Sequence, residues 1–283
     1  MSRVLGKATG VTIAATLVGL FIVPFSPAMA QVSVQSSVQF VPTPPDQGAP
    51  DGRQRGGATR GDCVTYQDLV AIVPRVENVV WSQTTSATPT FFFDVLADLT
   101  EEIPLEFVIQ DANDEYVFQQ QFEVNAEAGL LAVPTMSETA ENAGLALDES
   151  YQWTFSIYCD EDRPSAAVSV SGTVQRVADG SAGPISDDEL TPDKQFERLQ
   201  QYAAAGIWHE AIEIAITLHQ AEPNNVTYQE TLASLFMQAG ISETLPAEAP
   251  TAGSIPVEEK REEIPPAESP SDSSLVSPMG DVL

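Results

Sequence analysis

The 283-residue sequence predicts a β-rich antiparallel sandwich followed by a short α-helical unit. Three observations carry that class. Between residues 63 and 180 apolar and polar residues alternate, the period of strands with one buried and one wet face. Between 185 and 243 the spacing changes to that of helices. Inside the helical stretch a motif returns after 34 residues: Leu199-Gln-Gln-Tyr-Ala-Ala-Ala-Gly-Ile207 is echoed by Ala233-Ser-Leu-Phe-Met-Gln-Ala-Gly-Ile241.

The chain opens with an address. Arg3 and Lys7 precede the uncharged stretch Val11–Val23, and Ala28-Met29-Ala30 places small residues at a cleavage site. Residues 1–30 therefore read as a signal peptide cut after Ala30. The apolar stretch is shorter than the roughly 20 residues that span a bilayer. No later segment reaches that length, and no cysteine follows closely enough for a lipid anchor. The expectation is a periplasmic or secreted monomer with no transmembrane segment after cleavage. Losing Arg3 and Lys7 takes the formal charge from −29 to −31. So acidic a surface repels phosphate backbones and anionic lipid, which argues against nucleic acid as a partner.

Residues 31–62 form a Pro/Gly-rich leading segment in which Val34, Val38 and Phe40 are the apolar marks. Its end carries three of the chain's few basic residues, Arg53, Arg55 and Arg60. Cys63 and Cys159 are the only cysteines. An even pair in an oxidising compartment reads as a disulfide. Closing a loop of that size is worth about 4–5 kcal/mol in a chain-entropy account.

The β-sandwich domain is assigned to 63–180. Its clearest strand is Tyr151–Cys159, with Tyr151, Trp153, Phe155, Ile157 and Cys159 on one face and Gln152, Thr154 and Ser156 on the other. Further strands are expected at Gln67–Val73, Thr90–Leu96, Leu105–Gln110, Tyr116–Val124, Leu130–Val133 and Ala167–Val177. Asp111-Ala-Asn-Asp-Glu115 supplies turn chemistry between two of them. Leu145, six residues before Tyr151, and the run Tyr-x-Trp-x-Phe resemble the tyrosine corner that opens strand F of immunoglobulin- and fibronectin-like sandwiches. Cys63 precedes the first strand, so the bridge is expected to staple the leading segment onto strand F.

Residues 185–243 form the helical unit. Its 34-residue period is that of tetratricopeptide repeats. Gly206, Trp208, Ala211, Ala215, Leu218 and Pro223 resemble that repeat's second helix and closing proline. Thr191-Pro192 offers a cap and a first-turn proline. Only one and a half units are present, so the helices are expected to complete their core against the sandwich or a partner. Residues 244–283 are acidic, Pro-rich and without apolar period, a composition expected to stay disordered.

Catalytic candidates are thin. His209 and His219 are the only histidines, and ten residues of helix separate them by nearly three turns. Both are expected on a solvated helix surface. No GxSxG, HExxH, GxGxxG or Walker pattern is present. Two acidic stretches, Asp111–Glu115 and Asp160–Asp162, offer oxygen ligands for calcium, though neither has the glycine and closing glutamate of an EF-hand. Exposed turns are the simpler reading of both. No metal, cofactor or catalytic residue is expected.

With these residues in hand a family likeness can be stated. Phe40-x-Pro-x-Pro-Pro, Gly48-Ala-Pro50, Arg53 and Gly56-Gly57-x-Thr59-Arg60-Gly61-x-Cys63 stand in order along the chain. They are followed by Pro89-Thr-Phe91, Tyr151-x-Trp153, Cys159-Asp160, Arg163, Gly172, Arg176 and Tyr202-Ala-x-x-Gly206-Ile-Trp208. This order resembles a cyanobacterial family of exported proteins catalogued as domain of unknown function 928, over about Phe40 to Ile241. The resemblance implies architecture, compartment and lineage, and it transfers no catalytic residue.

Two functions fit. The first is a non-enzymatic interaction or scaffold protein of the envelope, with a protein or peptide partner. The second is a binder, or cryptic hydrolase, of cell-wall or extracellular polysaccharide, using Trp81, Trp153 and Trp208 for stacking. The arginine strip is expected to act as a clasp lying along the acidic sandwich, its side chains on surface carboxylates. An anion contact through Arg53, Arg55 and Arg60 is the other use of the same residues.

Overall fold

The computed structural model describes residues 38–45, 48–57, 62–135, 144–159, 167–180, 191–241 and 253–254. The residues expected to form a signal peptide (1–30), Arg60, Asp160–Asp162 and most of the C-terminal tail lie outside these. Among the described residues no helix is long and apolar enough to cross a membrane.

A 3-10 turn at Asp62–Tyr66 leads into the strands β1 (Val70–Ala71), β2 (Arg75–Val76), β3 (Val79–Thr84), β4 (Thr90–Val95), β5 (Leu105–Gln110), β6 (Tyr116–Phe122), β7 (Gly129–Pro134), β8 (Ser150–Ile157) and β9 (Val168–Arg176). Three helices follow, α1 (Pro192–Ala205), α2 (Trp208–Ala221) and α3 (Val226–Gln238), and then a two-residue strand, β10 (Gly253–Ser254). One sheet has the order β1-β4-β7-β10 and the other β2-β3-β9-β8-β5-β6. Pairing is antiparallel except for β3 with β9 and β7 with β10. The chain is thus β-rich, with two sheets and three helices after them.

Alternation drives the packing of the two sheets. On β8 the residues Tyr151, Trp153, Phe155 and Ile157 are buried, as their spacing predicts. They meet Phe91, Phe93 and Val95 of β4 and Phe107 and Ile109 of β5 in one apolar cluster. Phe93 stacks on Phe155 with ring centroids 4.1 Å apart, and Phe91 lies 4.8 Å from Phe107. The Tyr151 hydroxyl accepts a hydrogen bond from the Ala146 N–H at 2.9 Å, tying the turn before β8 to the strand itself. A disulfide joins Cys63, in the 3-10 turn, to Cys159, two residues past β8, with 5.3 Å between Cα atoms.

Strand β3 is absent from the sequence reading. It is reached by a tight hairpin from β2 in which Glu77 and Asn78 both take positive φ, 49° and 73°. Asn adopts that conformation readily and Glu does not, so the pair gives little turn signal. The strand then pairs parallel to β9 from Trp81↔Thr173 to Thr84↔Arg176, and Val80, Trp81, Ser82 and Thr84 are all buried. Burial on both faces removes the alternation by which a strand is recognised.

The helices complete their core on the sandwich. Val70, Ile72, Phe92 and Leu130 point away from the inter-sheet core and join Leu199, Trp208, Ile212, Leu235 and Phe236 in a second cluster. Val38 and Phe40 close it from the N-terminal side, with Phe40 edge-on to Trp208 at 4.9 Å. α1 and α3 end alike. Gly206 and Gly240 take φ of 79° and 72°, and the N–H groups of Ile207 and Ile241 reach back to Tyr202 and Phe236, each at 3.0 Å. Gly206 is needed twice, since a Cβ there would also sit 2.7 Å from the Val41 carbonyl. Thr191 is the N-cap of α1 by position, but its side chain makes no capping bond; the start rests on Pro192. Within the acidic tail, Gly253 and Ser254 pair with Leu131 and Ala132 at the edge of β7.

Candidate functional site

A cluster of buried polar residues, Ser82, Thr84 and His209, lies where α2 crosses the ends of β3 and β4. Its first turn carries Trp208-His209-Glu210, and each side chain is committed to a different part of the sheets. Trp208 donates from Nε1 to the Ile72 carbonyl at 2.8 Å. His209 lies between the Ser82 hydroxyl (2.9 Å to Nε2) and the Thr90 carbonyl (3.1 Å to Nδ1). A carbonyl can only accept, so Nδ1 carries the proton and Nε2 accepts from Ser82. Burial pushes the His209 pKa below its ordinary value, against the nearby Glu210 charge and the Thr90 hydrogen bond, and keeps the ring neutral.

The expectation that His209 is solvated is therefore overturned: it is 2% exposed, on the face of α2 that meets the sheets. Serine beside histidine is also the pairing used for nucleophilic catalysis. Here Ser82 is likewise 2% exposed, so its hydroxyl serves the joint rather than an incoming substrate. His219 is half-buried near the end of α2.

Glu210 works as a receptor for the turn after β3. Its Oε1 accepts from the Thr84 and Thr85 hydroxyls and from the Thr85 and Ser86 amides, at 2.7–2.9 Å. Its other oxygen, Oε2, is buried with no partner among the described residues. Beside it a cleft of about 340 Å³ opens between α1 and α2, lined by Gln195, Arg198, Tyr202, Glu210, Glu213, Ile214 and Thr217. Spacings of three and four residues put these on the facing stripes of the two helices.

Arg198 is half spoken for. Its Nε and Nη2 donate to the Tyr202 hydroxyl at 3.1 and 2.9 Å, and Nη2 lies 3.6 Å from Asp179. Its Nη1 is buried and has no partner among the described residues. Glu213 opens to solvent at the mouth and takes the Thr90 hydroxyl at 3.3 Å. The atoms crowded around its carboxyl, with the Glu210 charge adding to them, raise its pKa.

The arginine strip runs elsewhere and makes a seam between the two sheets. Arg53 exchanges main-chain hydrogen bonds with Ser171 of β9 at 2.7 and 2.8 Å, while the Ala71 N–H of β1 donates to the Gln54 carbonyl at 2.8 Å. Gly52 makes the approach possible: its φ is 67°, and a Cβ there would meet the Ser171 carbonyl at 2.7 Å. Arg53 and Arg55 are exposed, and neither forms an ion pair among the described residues. Arg55 is still near enough to Asp94 of β4 to oppose the effect of burial, which lifts that carboxyl to about 6.

The residue between the arginines is the one sequence reasoning passed over. Gln54 is 4% exposed and donates from Nε2 to the Val73 carbonyl at 2.6 Å and the Ala239 carbonyl at 3.0 Å. It thereby joins the strip to both the sheet and the end of α3. Nothing in a glutamine flanked by arginines signals burial.

The other candidates are placed simply. Trp81, Trp153 and Trp208 are at most 2% exposed, so none offers a ring face for a sugar. In the β5–β6 turn Asp111 Oδ1 accepts from the Asn113 and Glu115 amides at 2.8 and 2.9 Å. Those bonds, Glu115 first, hold its carboxyl below the usual range, and the carboxylate serves the turn itself. Among the described residues no group of three or more His, Cys, Asp or Glu side chains is placed to hold a metal ion.

No curated protein matches the chain in sequence. A family model does, over residues 55–249, a span that takes in β1 to β9, all three helices and the cleft. The chain belongs to the family described as Domain of Unknown Function (DUF928).

Proposed function

We propose that the protein is an exported, non-enzymatic binding scaffold of the cell envelope: an immunoglobulin-like sandwich carrying an incomplete tetratricopeptide-like unit. The sandwich reading is supported by strand order. β1-β4-β7 follows the A-B-E order of such folds and β9-β8-β5 the G-F-C order, with a tyrosine hydroxyl bonded back to the turn before the F-like strand. The helical reading is supported by two glycine-ended helices 34 residues out of phase on either side of α2. Export is supported by the first thirty residues and by a disulfide, a bond that persists in oxidising compartments.

The observation that carries a binding role is the open cleft between α1 and α2. A helical unit whose apolar face is already spent on the sandwich still leaves an open concavity, its surface mostly apolar, with Arg198, Glu210 and Glu213 among the lining residues. Capture from an envelope extract tests it, comparing the full chain with an Ile214→Arg variant that fills the cleft from a half-buried position. The wild type should recover a reproducible partner that the folded variant loses. Equal recovery would overturn the reading.

A further inference from the structure

The two sheets differ where their long strands end. β6 borders one of them with exposed residues between buried ones, the pattern of a strand beside water. β7, the last long strand of the other, is buried on both faces. Leu131 and Val133 belong to the inter-sheet core, and Leu130 to the helical cluster with Ala132 packed against it. That is the burial of an inner strand, which has a neighbour on each side.

The direction of the β7 backbone follows from its bonds. The Thr135 N–H donates to the Pro89 carbonyl at 3.3 Å, while the Phe92 carbonyl is taken on the opposite side of β4 by the Ile72 N–H at 2.9 Å. Backbone groups alternate in direction along a strand, so Gly129, Leu131 and Val133 face β4 and Leu130, Ala132 and Pro134 face outward. Proline has no N–H, which leaves donors at Leu130 and Ala132 and carbonyls at all three. Gly253 and Ser254 lie along this outer side in parallel register with Leu131 and Ala132. That register makes Gly253 the bonding residue, its N–H set to donate to the Leu130 carbonyl and its carbonyl to accept from the Ala132 N–H. In sequence Gly253 is the centre of Thr251–Ile255, an uncharged run between Pro250 and Pro256. The family match ends at residue 249, so the edge belongs to the family domain and the segment on it lies beyond the match.

We infer that the outer edge of β7 is a strand-acceptor site whose resident occupant is the chain's own tail at Gly253–Ser254, a cap that a longer strand can displace. Only two tail residues pair, against a β7 strand of six, so a longer extended segment gains main-chain bonds that the cap does not make. The segment that fits is uncharged, free of proline and parallel to β7. This site is independent of the α1–α2 cleft.

The test is amide hydrogen exchange of the full chain, with titration of the peptide Ala-Pro-Thr-Ala-Gly-Ser-Ile-Pro-Val that reproduces residues 249–257. In the wild type the Ala132 amide should be protected. Gly253→Pro removes the donor to Leu130 and should speed Ala132 exchange about tenfold or more, while the Leu131 amide, which faces β4, is unchanged. The same variant should bind the peptide about tenfold more tightly than the wild type, whose own tail competes for the edge. Ser254→Ala keeps the backbone and should match the wild type in both measurements. An unprotected Ala132 in the wild type, indifference of Ala132 to Gly253→Pro, or no gain in peptide binding would each overturn the inference. Protection of Ala132 that rises with protein concentration would put a second copy on the edge and overturn the tail as its occupant. Partner capture by Ile214→Arg reports on the cleft alone, so the two readings fail separately.

Discussion

The two apolar clusters of this protein are built on different principles. Between the sheets, Phe91, Phe93, Phe107, Trp153 and Phe155 pack against one another in several ring contacts, so no single pair carries the joint. That core is also fastened covalently at its margin by Cys63–Cys159. Between the sheet and the helices the apolar contacts are guided by single polar bonds: Trp208 to Ile72, His209 to Ser82 and Thr90, Gln54 to Val73 and Ala239, and Gln238 to Phe40 and Val38. Ring packing tolerates small adjustments. A buried hydrogen bond is either made or leaves a partner unsatisfied at about 1–3 kcal/mol. The contrast teaches that the first interface supplies bulk stability and the second supplies register.

The sharpest test of that contrast is a pair of truncations. Trp153→Ala and Trp208→Ala should each cost about 3–5 kcal/mol. The first should lower the single unfolding transition. The second should expose the α2 and α3 amides to hydrogen exchange while the β8 amides remain protected, and loss of protection in both regions together would erase the distinction. Next, Cys63→Ser with Cys159→Ser should cost about 2–5 kcal/mol by denaturant titration, with β8 more affected than α2.

Acidity separates the clusters in another way. Asp94 faces the helical cluster from β4, and its folded pKa of about 6 lies above the unfolded value. The folded state therefore favours the protonated carboxyl, and the stability it adds is full below about pH 4 and lost as pH rises through 6. Asp94→Asn should stabilise the protein at pH 7 by up to about 3 kcal/mol and hardly at all at pH 4. His209 acts in the opposite sense. Its lowered pKa means its contribution is intact above about 6.5 and declines as pH falls, because only the unfolded chain takes up the proton. Melting temperatures across pH 4–8 for wild type and Asp94→Asn would separate the two slopes.

Gln54→Leu should cost about 1–2 kcal/mol, since two buried carbonyls lose their donor, and its effect should appear first at the end of α3. The smallest expected effect belongs to Arg53→Ala, under about 0.5 kcal/mol, because main-chain bonds secure the strip and the guanidinium is exposed. A larger loss would show that the arginine side chain fastens the strip after all.

Much of the architecture was legible because its signals are local. Alternation over Tyr151–Ile157 marks β8, turn residues at Asp111–Glu115 mark the β5–β6 hairpin, and a repeated Ala-Gly-Ile marks the ends of α1 and α3. An even pair of cysteines, the only two in the chain, was enough to suggest their pairing. Such features depend on period, on glycine's access to positive φ, and on residue count. The partners of buried polar groups obey no such rule. β3 escaped notice because burial on both sides erases its period. Gln54 and His209 look like surface residues until Val73, Ala239, Ser82 and Thr90, all distant in the chain, supply their bonds. The cleft was invisible for the same reason, since Arg198 and Glu210 become neighbours only when α1 folds back on α2. Sequence alone determined most of the strands and the helical stretch; tertiary structure decided β3 and where the polar groups go. Secondary structure answers to neighbours a few residues away, whereas a buried polar atom answers to whichever part of the chain brings it a hydrogen bond.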